Sequence, residues 1–273
     1  MLRVLSGIPA AAALLALFHA GPVEAIALVL LAVAIAGTLE FHRLARGKPG
    51  CFVPIVPLLG GVILIMAGPW FHALPGLSGG LFLAIALWCL VSLLGAPDPG
   101  EGRIMPSLAM GVFGLAWIAW PLGHALLIAL LPNGRDLLLY LVLTLVLNDS
   151  IAYFAGTFLG RHLMAPAISP KKTWEGSLGG MAGGALGGVV GVLLMTGGSW
   201  HPEGLWYVLL GVPLALLGQA GDLLESLFKR YCGVKDSGFF LPGHGGFLDR
   251  LDVFLLAVPF LYYLSPFLGN LPG

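Results

Sequence analysis

The sequence predicts an all-α, polytopic integral membrane protein of about nine transmembrane helices with a cytoplasmic N-terminus. Three observations carry that prediction: a scarcity of charge, a succession of apolar runs near the length of a membrane span, and a one-sided distribution of lysine and arginine. Of 273 residues, 58% are hydrophobic and 10% charged, against about 25% charged in soluble domains. A soluble domain of this length has too little interior to hide so much apolar surface. Lipid cannot satisfy backbone N–H and C=O groups, so the runs must be helical. No strand pattern and no soluble domain is read between them. Net charge is zero, which gives no bulk preference for nucleic acid. Cys51, Cys89 and Cys232 have neither metal nor redox spacing and read as reduced, structural thiols.

A span needs about 20 mostly apolar residues, and candidates fall at 4–20, 22–39, 51–67, 80–95, 104–131, 135–157, 176–197, 204–227 and 251–268. The first follows Arg3 and ends at Ala20-Gly21, a pattern shared with cleavable signal peptides; a retained helix is expected. The fifth is long and carries Pro121 and Gly123, where a kink or break is expected. The seventh holds two glycine rows, Gly179, Gly183, Gly187, Gly191 and Gly180, Gly184, Gly188, which form adjacent smooth ridges for close helix packing.

With all nine spanning and the N-terminus inside, the cytoplasmic face holds Arg3, Arg43, Arg46, Lys48, Arg103, Arg161, Lys171, Lys172, Lys229, Arg230, Lys235 and Arg250. The far face holds only Arg135, which completes the 13 basic residues. A split this lopsided is what the positive-inside rule demands of a correct topology.

The chemistry is gathered toward the C-terminus, since residues 148–273 carry 15 of the 26 acidic and basic side chains. Residues 1–140 read as transmembrane helices of unassigned role, and 141–273 as a catalytic region whose site faces the cytoplasm. Three clusters define that region. In the first, Asp149 and Tyr153 share a helix face with Gly156 and Gly160. Asp149 lies about eight residues inside the span, roughly 12 Å deep, where a carboxylate is costly and usually functional. The second is Ser169-Pro170-Lys171-Lys172-Thr173-Trp174-Glu175-Gly176, which enters the seventh span. Two lysines beside a helix start suit an anion, while Thr173 and Glu175 also suit simple capping.

The third cluster is the richest. Asp222, Glu225, Ser226 and Lys229 are spaced i, i+3, i+4, i+7 on one stripe of the eighth span. Lys235, Asp236, His244, Gly245, Gly246, Asp249, Arg250 and Asp252 follow. Hard divalent cations take one or two carboxylates plus substrate phosphates; Asp222 and Asp249 could supply them if their helices pack side by side. Glycines near His244 would let backbone amides approach a phosphate.

These clusters resemble the phosphatidate cytidylyltransferase, or CDP-diacylglycerol synthase, family. Its signature of Ser-x-x-Lys-Arg, four residues, Lys-Asp, then Pro-x-His-Gly-Gly, two residues and Asp-Arg-x-Asp is filled by Ser226, Lys229, Arg230, Lys235, Asp236, Pro242, His244, Gly245, Gly246, Asp249, Arg250 and Asp252. Asp149-x-x-Ala-Tyr153 and Ser-Pro-Lys-Lys-Thr-x-Glu-Gly resemble the family as well, so the similarity covers roughly residues 145–255. Residues 1–140 resemble it only as hydrophobic spans.

The resemblance implies the reaction of CTP with phosphatidate to give CDP-diacylglycerol and pyrophosphate, part of phospholipid biosynthesis. It implies Mg²⁺ on Asp222 and Asp249, a second, monovalent cation such as K⁺, a homodimer, and residence in a bacterial inner membrane. Lys229, Lys235 and Arg250 are then expected to be catalytic. Asp149, Lys171, Lys172, Thr173, Glu175, Glu225, Ser226, Arg230, Asp236, His244, Gly245, Gly246 and Asp252 are expected to bind substrate. Competing readings are a CTP-dependent kinase of a long-chain alcohol, the same chemistry on an ether-linked lipid, and a transporter. A transporter usually carries midplane sites and paired repeats, and neither is evident in the sequence.

Overall fold

The computed structural model describes residues 21–47, 53–94, 104–235, 237–238 and 246–268. Its helices are Val23–Arg46 (α1), Ile55–Leu94 (α2), Ile104–Gly114 (α3), Trp120–Ala129 (α4), Gly134–Leu159 (α5), Trp174–Met195 (α6), Gly204–Tyr231 (α7) and Leu248–Leu264 (α8). A π-helical turn, Leu115–Ala119, joins α3 to α4, and the 3₁₀ turn Ser265–Phe267 follows α8. Counting α3 to α4 as one, seven helices are long and apolar enough to cross a membrane.

The expected first span, 4–20, lies outside the described residues. The expected third and fourth spans fall within the single 40-residue α2, which breaks at His72 and at Ala73 (φ 49, ψ −124) between Pro69 and Pro75. Each proline removes a helical N–H and crowds the preceding turn. A Cβ on Gly68 would meet the backbone of Gly76, and one on Gly80 the backbone of Leu64. Residues so far apart along a straight helix cannot touch, so the two halves of α2 double back on each other. The interruption expected at Pro121 takes the form of the π-helical turn. It includes Trp117, the residue whose carbonyl the Pro121 ring would otherwise strike, and the extra residue in that turn relieves the clash.

One expectation fails. Leu163–Ala165 (β1) and Ser169–Thr173 (β2) pair as an antiparallel hairpin, although no strand pattern is read between the spans. These strands have three and five residues, and β2 reads Ser-Pro-Lys-Lys-Thr. That segment contains no alternation of apolar and polar residues for a period-two reading to find.

The described chain divides into two compact units. The first takes in Pro22–Leu127 and Phe228–Leu251; the second takes in Ile128–Leu227 and the residues from Asp252 onward. In the first unit, Phe41 of α1 stacks on Phe228 with ring centroids 4.8 Å apart and is joined by Phe113 and Trp117. In the second, the two glycine rows of α6 meet different partners. Gly179, Gly183, Gly187 and Gly191 face Ala155, Leu147, Thr144 and Tyr140 of α5. Gly184 and Gly188 face Gly211 and Tyr207 of α7, while Gly180 meets Asn148 and Gln219. The predicted ridges thus become two seams, each with backbone close to a neighbouring helix.

Local signals fix the ends of these helices. The Thr173 hydroxyl accepts from the Gly176 N–H at 3.1 Å and caps α6. Gly233, at φ 77, ends α7 beyond Lys229 and Arg230, where the Val234 N–H donates back to the Lys229 carbonyl.

Candidate active site

A cavity of about 570 Å³ opens in the second unit. Helix α5 lines it with Asp149, Tyr153 and Gly156, strand β2 with Lys171, Lys172 and Thr173, α6 with Ser177, and α7 with Gln219 and Asp222. Five residues expected to bind substrate or metal, Asp149, Lys171, Lys172, Thr173 and Asp222, therefore share one space. The hairpin makes this possible: it sets the lysine pair on a strand that leads straight into the capped start of α6. The Lys172 ammonium sits 2.7 Å from the Asp222 carboxylate, and both remain partly open to solvent.

A chain of polar groups holds Asp149. The Ser177 hydroxyl donates to the Gln219 side-chain carbonyl. The Gln219 amide donates to Asn148 Oδ1 at 2.8 Å and to the Ser177 carbonyl at 3.1 Å. The Asn148 amide donates to Asp149 Oδ1 at 2.8 Å. Three helices thus orient one carboxylate. Gln219 was not singled out in the sequence, and Asn148 was read only as a neighbour of Asp149. An amide in an apolar helix carries no motif; its only advance signal is its polarity.

The remaining expected residues are distributed otherwise. Glu175 is taken up by the chain itself: its carboxylate accepts from the backbone N–H groups of Arg161 and His162 and lies 2.6 Å from His162 Nδ1. Glu225 is buried and does not line the cavity, so the helical stripe through Asp222, Glu225, Ser226 and Lys229 contributes only Asp222 to it. Ser226 is half-buried. Arg230 donates to the Val234 carbonyl at 3.4 Å. Lys235 and Arg250 are exposed. Asp252 is buried, and its carboxylate accepts from the Val253 N–H at 2.8 Å. Asp236, His244 and Gly245 lie outside the described residues.

In the first unit, Asp249 is the centre of a dense set of donors. Lys229 Nζ is 2.5 Å from its Oδ1. Its Oδ2 accepts from the Gly246 N–H at 2.7 Å, the Ser237 hydroxyl at 2.9 Å and the Ser237 N–H at 3.4 Å. Glu40 of α1, absent from the sequence reading, stands beside this set. It accepts from the Leu248 N–H at 2.6 Å and lies 3.2 Å from the Ser237 hydroxyl. Among the described residues, no three His, Cys, Asp or Glu side chains cluster as a ready metal site.

Acids and lysines lining one cavity among apolar helices are the equipment of a membrane-embedded enzyme for anionic substrates. The family model described as "Cytidylyltransferase family" matches residues 1–268. A phosphatidate cytidylyltransferase of Mycobacterium bovis is 31% identical over 234 residues, covering 81% of this chain and 74% of that protein. One of Staphylococcus aureus is 35% identical over 221 residues, covering 78% and 80%. One of Staphylococcus haemolyticus is 42% identical over 133 residues, covering 48% and 50%. The chain belongs to the cytidylyltransferase family, and the match takes in residues 1–140, beyond the stretch that carries the motifs.

Proposed function

We propose that the chain transfers the cytidylyl group of CTP to phosphatidate, releasing pyrophosphate and leaving CDP-diacylglycerol in the membrane. The observation that carries this reading is the cavity that gathers Asp149, Asp222, Lys171 and Lys172. The names of the relatives and the signature through Asp252 support it. In the reaction, a phosphatidate oxygen attacks the α-phosphorus of CTP as the bond to pyrophosphate breaks. Both reactants are anions, so repulsion is the first barrier. Lys171 and Lys172 neutralise phosphate charge, and an arriving phosphate competes with Asp222 for Lys172. Lys229, Arg230, Lys235 and Arg250 are assigned by motif position to clamping the triphosphate or the lipid phosphate. Phosphatidate is already ionised at neutral pH, so positioning and electrostatics supply most of the catalysis.

The donor chemistry fits Mg²⁺. Asp149 and Asp222 bring oxygen ligands to the cavity, and one or two carboxylates beside substrate phosphates are the usual protein share of such a site. Asp222 and Asp249 are the ligands that the family resemblance assigns. When bound, the ion supplies charge neutralisation at phosphate oxygens. A monovalent cation such as K⁺ and a homodimer rest on the family resemblance. The basic last turns of α1, with Arg43 and Arg46, and of α7, with Lys229 and Arg230, support a cytoplasmic site; a bacterial inner membrane rests on the family resemblance.

Purified protein in detergent with radiolabelled CTP and phosphatidate tests the activity. Mg²⁺-dependent formation of CDP-diacylglycerol and pyrophosphate is expected. Release of CDP with a phosphorylated lipid would instead identify a kinase, and no turnover of either kind would remove the reading. Topology is tested by cysteine labelling in inverted vesicles: a thiol at Lys171→Cys reacts with an impermeant reagent, and one at Glu203→Cys does not.

A further inference from the structure

We propose that Glu40 is a positioning residue for this reaction: its buried carboxylate fixes Ser237 and the start of α8, and through them the carboxylate of Asp249. The proposal rests on the reading of Asp249 as a site residue. Glu40 is 5% exposed, in the last two turns of α1 just ahead of His42, Arg43 and Arg46. A carboxylate buried to that degree is retained only when it is engaged.

Its engagement is specific. The N–H it accepts at 2.6 Å belongs to Leu248, the first residue of α8, one of the donors that a helix start leaves without an internal partner. A carboxylate also complements the positive end of the helix dipole. Its second contact, Ser237 Oγ at 3.2 Å, is shared, because the same hydroxyl lies 2.9 Å from Asp249 Oδ2. One serine thus links a carboxylate from α1 to the acid in the first turn of α8, and Gly246 donates to that acid as well.

The glycines beside Glu40 record its presence. A Cβ on Gly238 would run into the Glu40 side chain, which supplies its three nearest atoms, and one on Gly246 into both Glu40 and Ser237. Gly246 belongs to the His-Gly-Gly signature and was read from sequence as a place for phosphate to approach. The structure supplies a different reason for its lack of a side chain: the space is filled by an acid from residue 40. A role thereby falls to the N-terminal helices, which the sequence motifs left without one.

The test uses the full-length enzyme in detergent with CTP and phosphatidate, read by steady-state kinetics and by hydrogen exchange. Glu40→Ala is expected to lower kcat about 100-fold, the scale of a misplacement near 1 Å, with the KM for CTP little changed. Exchange at the Gly246 and Leu248 amides is expected to accelerate while that of α6 stays at the wild-type rate. Glu40→Gln keeps an acceptor oxygen in place and is expected to recover most of the turnover. Should Glu40→Ala fail to fold, Gly238→Ala is the second probe. Its methyl displaces the carboxylate, and its loss in kcat is expected to shrink when Glu40→Asp withdraws that carboxylate by one methylene. Wild-type exchange at Leu248 in Glu40→Ala, or independent losses from Gly238→Ala and Glu40→Asp, overturns the proposal. Wild-type turnover in Asp249→Asn overturns the reading of Asp249 instead, and the exchange and coupling results separate the two failures.

Discussion

Asp222 and Asp249 are each paired with a lysine, yet their surroundings differ. Asp222 lies in a cavity with Lys172 at 2.7 Å, and the side chains of the pair are 37% and 22% exposed. Asp249 is 18% exposed, with Lys229 at 2.5 Å and three further donors from Ser237 and Gly246. The first acid has room around it for a ligand and one movable partner. The second is fastened to the backbone that surrounds it. Two acids assigned one role by the family resemblance thus stand in two physical states: one is open to exchange, and the other is part of the framework that sets its own position.

The largest expected effect concerns both acids. Asp222→Asn preserves size and removes a charge, and kcat should fall at least about 100-fold, the range seen when one preorganised electrostatic group is lost. Asp249→Asn should fall as far, and the double variant little further, because groups acting as a unit are not additive. Pyrophosphate release from size-exclusion-purified protein measures this. Turnover near wild type in Asp222→Asn would reduce it to a partner of Lys172.

The lysines should separate the two surroundings. Lys172→Ala should raise the KM for CTP about tenfold, the cost of one charge-assisted contact, and leave the thermal transition near wild type. Lys229→Ala should lower the transition temperature as well, since it takes a cation from an acid held among backbone donors. Equal thermal shifts in the two variants would erase the distinction.

Smaller effects test the scaffold of the cavity. Gly184→Val puts a branched side chain against the Gly211 backbone and should destabilise the protein by about 1–3 kcal/mol, as overpacking does. Thr173→Ala removes the α6 cap and should cost about 1 kcal/mol. Thermal unfolding in detergent measures both; an unchanged transition in Gly184→Val would break the seam assignment.

The parts legible in the sequence were those with a period or a motif. Apolar runs fixed the spans that the structure describes, the fourfold glycine spacing of α6 foretold its packing, and the signature marked the segment around Asp249. Contacts that depend on chain reversal were not legible. Glu175 meets His162 only because β1 and β2 turn the chain back. Glu40 meets Leu248 across 208 residues, and Gln219 meets Asn148 across 71. A lone polar residue in an apolar run announces that it has a partner without saying where. The helical stripe through Asp222 has a related limit: spacing gives the face a residue occupies, while burial decides whether that face meets water, and Glu225 is buried.

The seams of α6 also bear on entropy. Within a bilayer, apolar surface gains little by leaving lipid for protein, so helices there associate with small net driving forces. A long side chain ordered at such a contact loses up to about 2 kcal/mol of rotamer freedom. The seven glycines that α6 sets against α5 and α7 have no rotamers to lose, so the α6 side of these seams forms with no side-chain ordering of its own. That side is also insensitive to warming in one respect: a residue that froze no side-chain motion when the contact formed releases none when temperature rises.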